Sequence, residues 1–209
     1  MENASKALMF AGTILITLMV ISAVVFMYRD LTSVKRQESE NQKVAETAEF
    51  NKSFESYEKD LKGTQMFSIA NKIIDYNEKY AGKDGYKEIT LTVHTDRGNK
   101  NAQYYADLQA DVDKMINEKY KSSNYLEALY EVRNNENSTD EKTRTQVEQT
   151  KNELRKELGD KYNVAYQNVN KDWNVYSKYK DLKNKTYKSD GITYYSNGRI
   201  KSMTYTQKN

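Results

Sequence analysis

The sequence predicts a mostly helical α+β protein. A long N-terminal transmembrane helix extends into a helical domain with a small antiparallel sheet, made of one internal strand and a C-terminal hairpin. Three observations support this class. The chain has 22 consecutive uncharged residues, Ala7 to Tyr28, near its start. Much of the chain after Tyr28 has apolar residues at helical spacing, and the last segment places Asn197-Gly198 between two β-rich runs.

Composition excludes several classes of protein. The 209 residues include no cysteine and one histidine, His94, which excludes disulfides, thiolate metal sites and multi-histidine centres within one chain. A net charge of +3 from interspersed charges gives no basic field that favours nucleic acid as a partner. Phosphate-binding loop and nucleophile-elbow motifs are missing. The sequence therefore predicts a protein that is not an enzyme and uses no cofactor.

Residues 1–28 are expected to form an uncleaved membrane anchor. A helix of 22 uncharged residues is long enough to span roughly 30 Å of hydrocarbon, and no signal-peptide cleavage site precedes the polar region. Charge alone leaves the orientation open. Four basic residues follow the segment and only Lys6 precedes it, which favours a C-terminal domain in the cytoplasm. Against this, the six residues before the segment give the insertion machinery little to keep on either side of the membrane. The four basic residues are Arg29, Lys35, Arg36 and Lys43.

Residues 29–63 are predicted to continue this helix into water as an amphipathic extension. The segment has no proline and no glycine before Gly63, and four apolar residues recur at steps of four, three and four. Gly63 is expected to end the helix in a left-handed cap, and Thr64 to cap a second helix that runs to about Tyr80. The four apolar residues are Phe50, Phe54, Tyr57 and Leu61.

Residues 64–209 are predicted to form a displayed α+β domain with a helical insertion at about 100–185. Gly82 and Gly85 mark a turn before an internal strand. Apolar and polar residues alternate in that strand, which indicates that one of its faces is buried. Its apolar residues are Ile89, Leu91 and Val93.

The insertion is predicted to contain several helices. One apolar face ends near Tyr120, and residues 124–132 add one or two turns. The polar run 133–142 is expected to be a mobile tip, and Ser138 with Glu141 fits a capping box for the next helix. Aromatic residues at alternating steps of four and three come after it, which favours packing in the core or against a partner helix over a sugar-stacking platform. They are Tyr162, Tyr166, Trp173 and Tyr176, and Val169 and Lys180 complete the stripe.

The C-terminal hairpin has the clearest local signal in the chain. Asn197 and Gly198 between two β-rich runs predict a two-residue type I′ turn, in which both residues have a positive φ. The hairpin and the internal strand would then form a three-stranded antiparallel sheet.

The layout resembles that of type IV pilin-like proteins, in which an apolar helix anchors each subunit and later packs in the filament. Three segments resemble single-span proteins of Gram-positive anaerobes that accompany tight-adherence (Tad) pilus assembly, and they cover about a third of the chain. The resemblance implies a structural subunit with its C-terminal domain outside the cell. The chain departs from prepilins because no glycine precedes the apolar run. The segments are MENASKALMFAGTILITLMVISAVV, FNKSFESYEKDLKGTQMFSIANKIIDYN and ITYYSNGRIKSMTY.

Four residues of the anchor are candidates for assembly with other helices. Glu2 is the only acid that precedes the apolar run, and its carboxylate is able to pair with the α-amino group of a neighbouring subunit. The simpler alternative is an ordinary interfacial charge. Gly12, Thr13 and Thr17 are small or hydroxylated, which permits another helix to approach closely. His94 is interpreted as an ordinary surface histidine.

The leading hypothesis is a non-enzymatic, membrane-anchored surface protein of a Gram-positive bacterium. It would be a pilin-like structural subunit, or a minor component, of a type IV or Tad-like pilus. It would cross the cell membrane once, with its C-terminal domain extracellular, and its partners would be the membrane and other subunits, either its own copies or pilin-like proteins. The alternative is a bitopic scaffold protein of cell division or of the envelope.

Overall fold

The computed structural model describes residues 2–83 and 86–208 and has the predicted fold class. A long apolar first helix is followed by a helical middle and a small sheet that includes a C-terminal hairpin. Gly85, half of the predicted turn, lies outside the described residues. The helices are α1 (Glu2–Glu55), α2 (Gly63–Tyr80), α3 (Ala102–Met115), α4 (Ser123–Asn135), α5 (Glu141–Leu158) and α6 (Tyr162–Asn184). The strands are β1 (Leu61–Lys62), β2 (Thr90–His94), β3 (Thr186–Tyr194) and β4 (Ile200–Lys208).

The first helix, α1, is continuous because its sequence contains no proline and only one glycine, Gly12. Its amino-terminal half is apolar and its carboxyl-terminal half is charged. The most apolar 18-residue window has a mean hydropathy of 2.5. Within residues 2–83 and 86–208, α1 is the one helix with the length and composition needed to cross a membrane. These properties are consistent with a single-pass anchor.

The first helix ends at Glu55, not at Gly63 as predicted. Residues 56–60 form turns, and Gly63 opens α2 instead of closing α1. The N–H group of Gly63 donates to the Lys185 carbonyl at 2.8 Å. A Cβ atom on Gly63 would lie 1.9 Å from the Leu182 carbonyl oxygen. Glycine is therefore required here for the close approach of two backbones rather than for a left-handed cap.

The chain forms two compact units that divide between Ser53 and Phe54. The first unit is the helix α1 up to Ser53, and the second contains the sheet and the remaining helices. The expected helical face from Phe50 to Leu61 is therefore interrupted, since Tyr57 lies in a turn and Leu61 in β1.

The sheet has four strands in the order β1-β3-β4-β2, and it is mixed. β3 pairs antiparallel with both β1 and β4, whereas β2 runs parallel to β4 with Leu91 opposite Met203. The internal strand thus differs from the antiparallel arrangement that the sequence predicted. Alternation of apolar residues reports which face is buried but not the direction of a strand. The long helical connection between β2 and β4 is what permits the parallel crossover.

One face of the sheet packs against α2 and α3 and forms the core. The strand residues predicted to point inward are buried: Ile89, Leu91 and Val93 are at most 3% exposed. Tyrosine supplies much of the remaining core volume, because large aliphatic residues are scarce in this part of the chain. The largest side chains that are fully buried are Tyr105, Tyr120, Tyr187 and Tyr205.

The helical insertion consists of α3 to α6, and half of its predicted mobile tip, residues 133–142, is helical. Only residues 136–140 lie between α4 and α5. The residue that caps α5 is Asp140, not Ser138 as predicted. The Asp140 carboxylate accepts from the N–H group of Thr143 at 2.8 Å, whereas the Ser138 hydroxyl accepts from the N–H group of Asp140. Both residue types favour this position, so the sequence pattern does not distinguish between them.

The hairpin forms as predicted, but the predicted type I′ turn is wrong. The Tyr195 carbonyl accepts from the N–H group of Gly198 at 2.9 Å, and the N–H group of Tyr195 donates to the Arg199 carbonyl at 2.8 Å. This is a three-residue loop whose last residue, Gly198, has a φ of 79°. Asn197 does not have a positive φ, and its side chain accepts from the N–H group of Arg199 instead.

Candidate functional site

In the described part of the chain, most of the exposed large apolar side chains lie in the amino-terminal half of α1. Every large apolar side chain from Leu8 to Tyr28 keeps between 51% and 78% of its surface exposed. A soluble monomer rarely exposes a continuous apolar surface of this length, and such surfaces mark contacts with lipid or with other proteins. This half of α1, called the apolar segment, is the candidate functional site.

Three of the predicted assembly residues lie close together on the apolar segment. The Thr13 hydroxyl donates to the Met9 carbonyl at 2.6 Å, and the Thr17 hydroxyl donates to the Thr13 carbonyl at 2.8 Å. Their polar groups are therefore satisfied within the helix, which lowers the cost of placing them in lipid or in a helix interface. Apart from the two chain neighbours of Gly12, no side chain of the described residues lies within 4 Å of a Cβ atom placed on it, so its surface is open.

Glu2 lies on the first turn of α1, where its carboxylate favours the helix dipole. The Lys6 ammonium donates to this carboxylate at 3.1 Å, one turn along the same helix. Both side chains are mostly exposed, and an exposed pair at this spacing stabilises a helix by only about 0.3–0.5 kcal/mol. A competing cation is therefore able to replace Lys6.

The aromatic stripe lies on α6 and packs within the helical insertion. Tyr162 and Tyr176 are buried, while Tyr166 and Trp173 are half-buried. The Trp173 ring stacks on Tyr130 of α4, with the ring centroids 4.1 Å apart and the planes at 9°. One face of Trp173 is therefore covered by another ring. This arrangement favours helix packing over a sugar-stacking platform.

The predicted end of the stripe, Lys180, shares a carboxylate with Tyr176. Glu127 of α4 accepts from the Lys180 ammonium at 2.9 Å and from the Tyr176 hydroxyl at 2.8 Å. These two hydrogen bonds, first that of Lys180 and then that of Tyr176, lower the pKa of Glu127. The cluster joins α4 to α6 at their polar edge.

A buried ionic cluster joins the same region of α6 to the π-helical turn Ile116–Tyr120 that follows α3, and the sequence did not predict it. Asp172 of α6 is 5% exposed and accepts from the Lys119 ammonium at 2.8 Å. The Tyr120 hydroxyl lies 2.9 Å from the same carboxylate and 3.2 Å from the Ala165 carbonyl. Burial, followed by the hydrogen bond to Asp172, raises the pKa of Tyr120. Asp172 directly precedes Trp173 of the stripe. An acidic residue next to a core aromatic residue was the one feature of the sequence that could have indicated a buried carboxylate.

His94 is the remaining polar residue that the sequence singled out. His94 is exposed, and its ring nitrogen Nδ1 lies 2.8 Å from the side-chain oxygen of Asn99. Within residues 2–83 and 86–208, no group of three or more histidine, aspartate or glutamate side chains is arranged to hold a metal ion.

The C-terminal hairpin makes hydrogen bonds to residues 56–60, the segment that follows α1. The Tyr205 hydroxyl donates to the Tyr57 carbonyl at 2.7 Å, and the Lys208 ammonium donates to the Asp60 carboxylate at 2.6 Å. Strand β1 then pairs with the start of β3. These contacts fix the point at which the chain enters the second unit.

No protein-family model matches the chain, and neither the curated proteins nor the solved structures include one with significant similarity to it. Function therefore has to be inferred from the geometry and chemistry of the chain itself.

Proposed function

We propose that this chain is a non-enzymatic, single-pass membrane protein that displays its α+β unit and works through contacts with other proteins. The observation that carries this proposal is the continuous helix α1. Its apolar segment is exposed throughout, and its polar half, up to Ser53, continues without a break. A helix with these two halves places one end in lipid and extends the other into water.

More specifically, we propose a pilin-like subunit or minor component of a type IV or Tad-like assembly, with the second unit outside the cell. In such an assembly the apolar segment exchanges lipid for neighbouring helices. The support is that Gly12, Thr13 and Thr17 offer a small, internally satisfied surface for such packing. The α+β unit is then the displayed part of the subunit.

The side of the membrane is tested by labelling a single introduced cysteine, because the chain has none of its own. Ser196→Cys places a thiol in the exposed hairpin loop, and Asn3→Cys places one at the start of α1. On intact cells, a membrane-impermeant maleimide should label Ser196→Cys, and should label Asn3→Cys only after permeabilisation. The reverse pattern would place the α+β unit in the cytoplasm and remove the surface function.

Assembly is tested with Glu2→Ala and its matched control, Lys6→Ala. Both changes break the pair within the helix, but only Glu2→Ala removes the acid that could bind a neighbouring amino group. With Thr17→Cys in the background, disulfide crosslinking between copies should fall in Glu2→Ala and persist in Lys6→Ala. Membrane levels should stay normal in both. Equal crosslinking in the two variants would argue against a pilin-like role for Glu2.

The second candidate is a bitopic scaffold of the envelope or the division site. It is favoured by the Glu2–Lys6 contact, because a carboxylate that is paired within its own helix needs no neighbour. In this case Glu2→Ala has no effect on crosslinking. Co-purification of the full chain with envelope-synthesis or division proteins, rather than with copies of itself, would support the scaffold.

A further inference from the structure

A concave pocket lies beside the carboxyl ends of the parallel strands β2 and β4. It is lined by the loop that follows β2, the first turn of α3, the last turns of α6 and the end of β4. Its volume is about 140 Å³, whereas one water molecule needs only about 10–15 Å³ on this measure. The pocket therefore has room for a small ligand.

Four basic side chains from three separate parts of the chain line this pocket. They come from the loop after β2, from α6 and from the α6–β3 junction. None of the four forms an ion pair within 4 Å in the described part of the chain, although Asp96 and Asp181 also line the pocket. The lining therefore has two more positive than negative groups. The four basic residues are Arg97, Lys100, Lys178 and Lys185.

Two of these cations contact the same aromatic ring. The Lys100 ammonium lies 5.0 Å from the centroid of the Tyr104 ring, and the Lys178 ammonium lies 5.3 Å from the same centroid. Contact with an aromatic face stabilises each cation, but placing two positive charges on one ring is unfavourable for the pair. Since both lysines line the pocket, an anion bound there would offset this repulsion.

We propose that this pocket, called the cationic pocket, binds the phosphate group of a small soluble molecule. A phosphate group carries close to two negative charges at neutral pH and has several acceptor oxygens, which matches the excess of two positive charges in the lining. A single carboxylate would compensate only one of them. The guanidinium of Arg97 supplies paired donors, and the lysines supply point charges around it. This proposal is independent of the pilin-like function.

The test is calorimetric titration of the full chain in neutral detergent with inorganic phosphate and, separately, with glycerol 3-phosphate. The double variant Lys100→Gln/Lys178→Gln should weaken binding by at least about tenfold. The matched control Lys188→Gln/Lys201→Gln removes the same charge from exposed strand positions outside the pocket and should change affinity by less than about twofold. Tighter binding of the ester would assign the pocket to organic phosphates, and tighter binding of the free ion to inorganic phosphate.

A second pair of variants tests whether phosphate affinity depends on the position of the lysines as well as on the net charge of the pocket. Tyr104→Phe keeps the aromatic face and should keep phosphate affinity, whereas Tyr104→Leu removes the face and should reduce affinity several-fold. Circular dichroism melting would show that all variants remain folded. The proposal is overturned if the wild-type chain does not bind phosphate at millimolar concentration, or if both double variants lose affinity equally.

Discussion

Two buried tyrosines differ in what their hydroxyl groups contact. The Tyr120 hydroxyl lies between a carboxylate and a carbonyl. The Tyr105 hydroxyl is fully buried, yet it has no partner at hydrogen-bonding geometry among the described residues. It faces Tyr187, whose own proton is donated to the Leu182 carbonyl. Burial raises the pKa of both Tyr105 and Tyr120, so both hydroxyls stay protonated.

This difference predicts opposite outcomes for the same deletion of one oxygen atom. Tyr120→Phe leaves the buried Asp172 with one donor fewer and should lower the free energy of unfolding by about 1–3 kcal/mol. Tyr105→Phe removes an unsatisfied polar group and should leave stability unchanged or raise it. Urea unfolding of the full chain in detergent, monitored by the fluorescence of the single tryptophan, would measure the stability of both variants. A larger loss in Tyr105→Phe would show that its hydroxyl has a partner.

The carboxylate of Glu127 gives stability a dependence on pH. Its pKa is lowered in the folded state by Lys180 and Tyr176. A lowered carboxyl pKa contributes stability above the ordinary value near 4.5, and this contribution is lost as the pH falls through the folded value. In Glu127→Gln, the decrease in unfolding free energy between pH 7 and pH 3 should be smaller than in the wild type. An identical decrease would show that this carboxylate is not coupled to folding.

At the scale of single elements, the hairpin loop depends on one glycine. Gly198 has a φ of 79°, a conformation that costs a residue with a side chain about 1–2 kcal/mol and a β-branched residue more. Gly198→Val should therefore lower the melting temperature more than Lys201→Ala, which changes an exposed strand residue. Differential scanning calorimetry of the two variants would compare them. Equal melting temperatures would mean that the loop tolerates other conformations.

Element types were predictable from the sequence where a local pattern determines them. The strand around Leu91, the helix that begins at Tyr162 and the hairpin all follow from periodicity and turn residues. Features that depend on distant residues were not predictable. Gly63 resembled a helix end, but its role is set by the approach of the Leu182 carbonyl. The parallel direction of β2 likewise depends on β4 and has no local signature.

The functional residues likewise include some that were predictable from local sequence and some that were not. The apolar segment was predictable because a run of apolar residues long enough to cross a membrane is visible in the sequence itself. The Lys119–Asp172 cluster was not, because a charged residue in a helical sequence usually lies in solvent. The cationic pocket was also missed, since Arg97 and Lys178 are brought together only by the packing of α6 beside the loop after β2.

At the scale of the molecule, the division between Ser53 and Phe54 predicts where the chain can be cut. A fragment that begins at Phe54 keeps all residues of the second unit and should be soluble, with one cooperative unfolding transition. A fragment that begins at Thr64 lacks Phe54 and Leu61, which are 2% and 0% exposed. It should be much less stable, because an uncovered core and an unpaired edge of β3 remain. Similar melting temperatures for the two fragments would place the boundary after β1.

The parallel pairing of β2 with β4 also determines when the sheet can close. The Thr90 hydroxyl donates to the Lys201 carbonyl across 111 positions of the chain, and all the helices of the insertion are synthesised between these two residues. As the chain emerges from the ribosome, β2 has to remain without its neighbour until β4 appears. The insertion is rich in local contacts and can form early, whereas the sheet waits for a contact of long sequence separation. We therefore expect closure of the sheet to be a late step in the folding of the second unit.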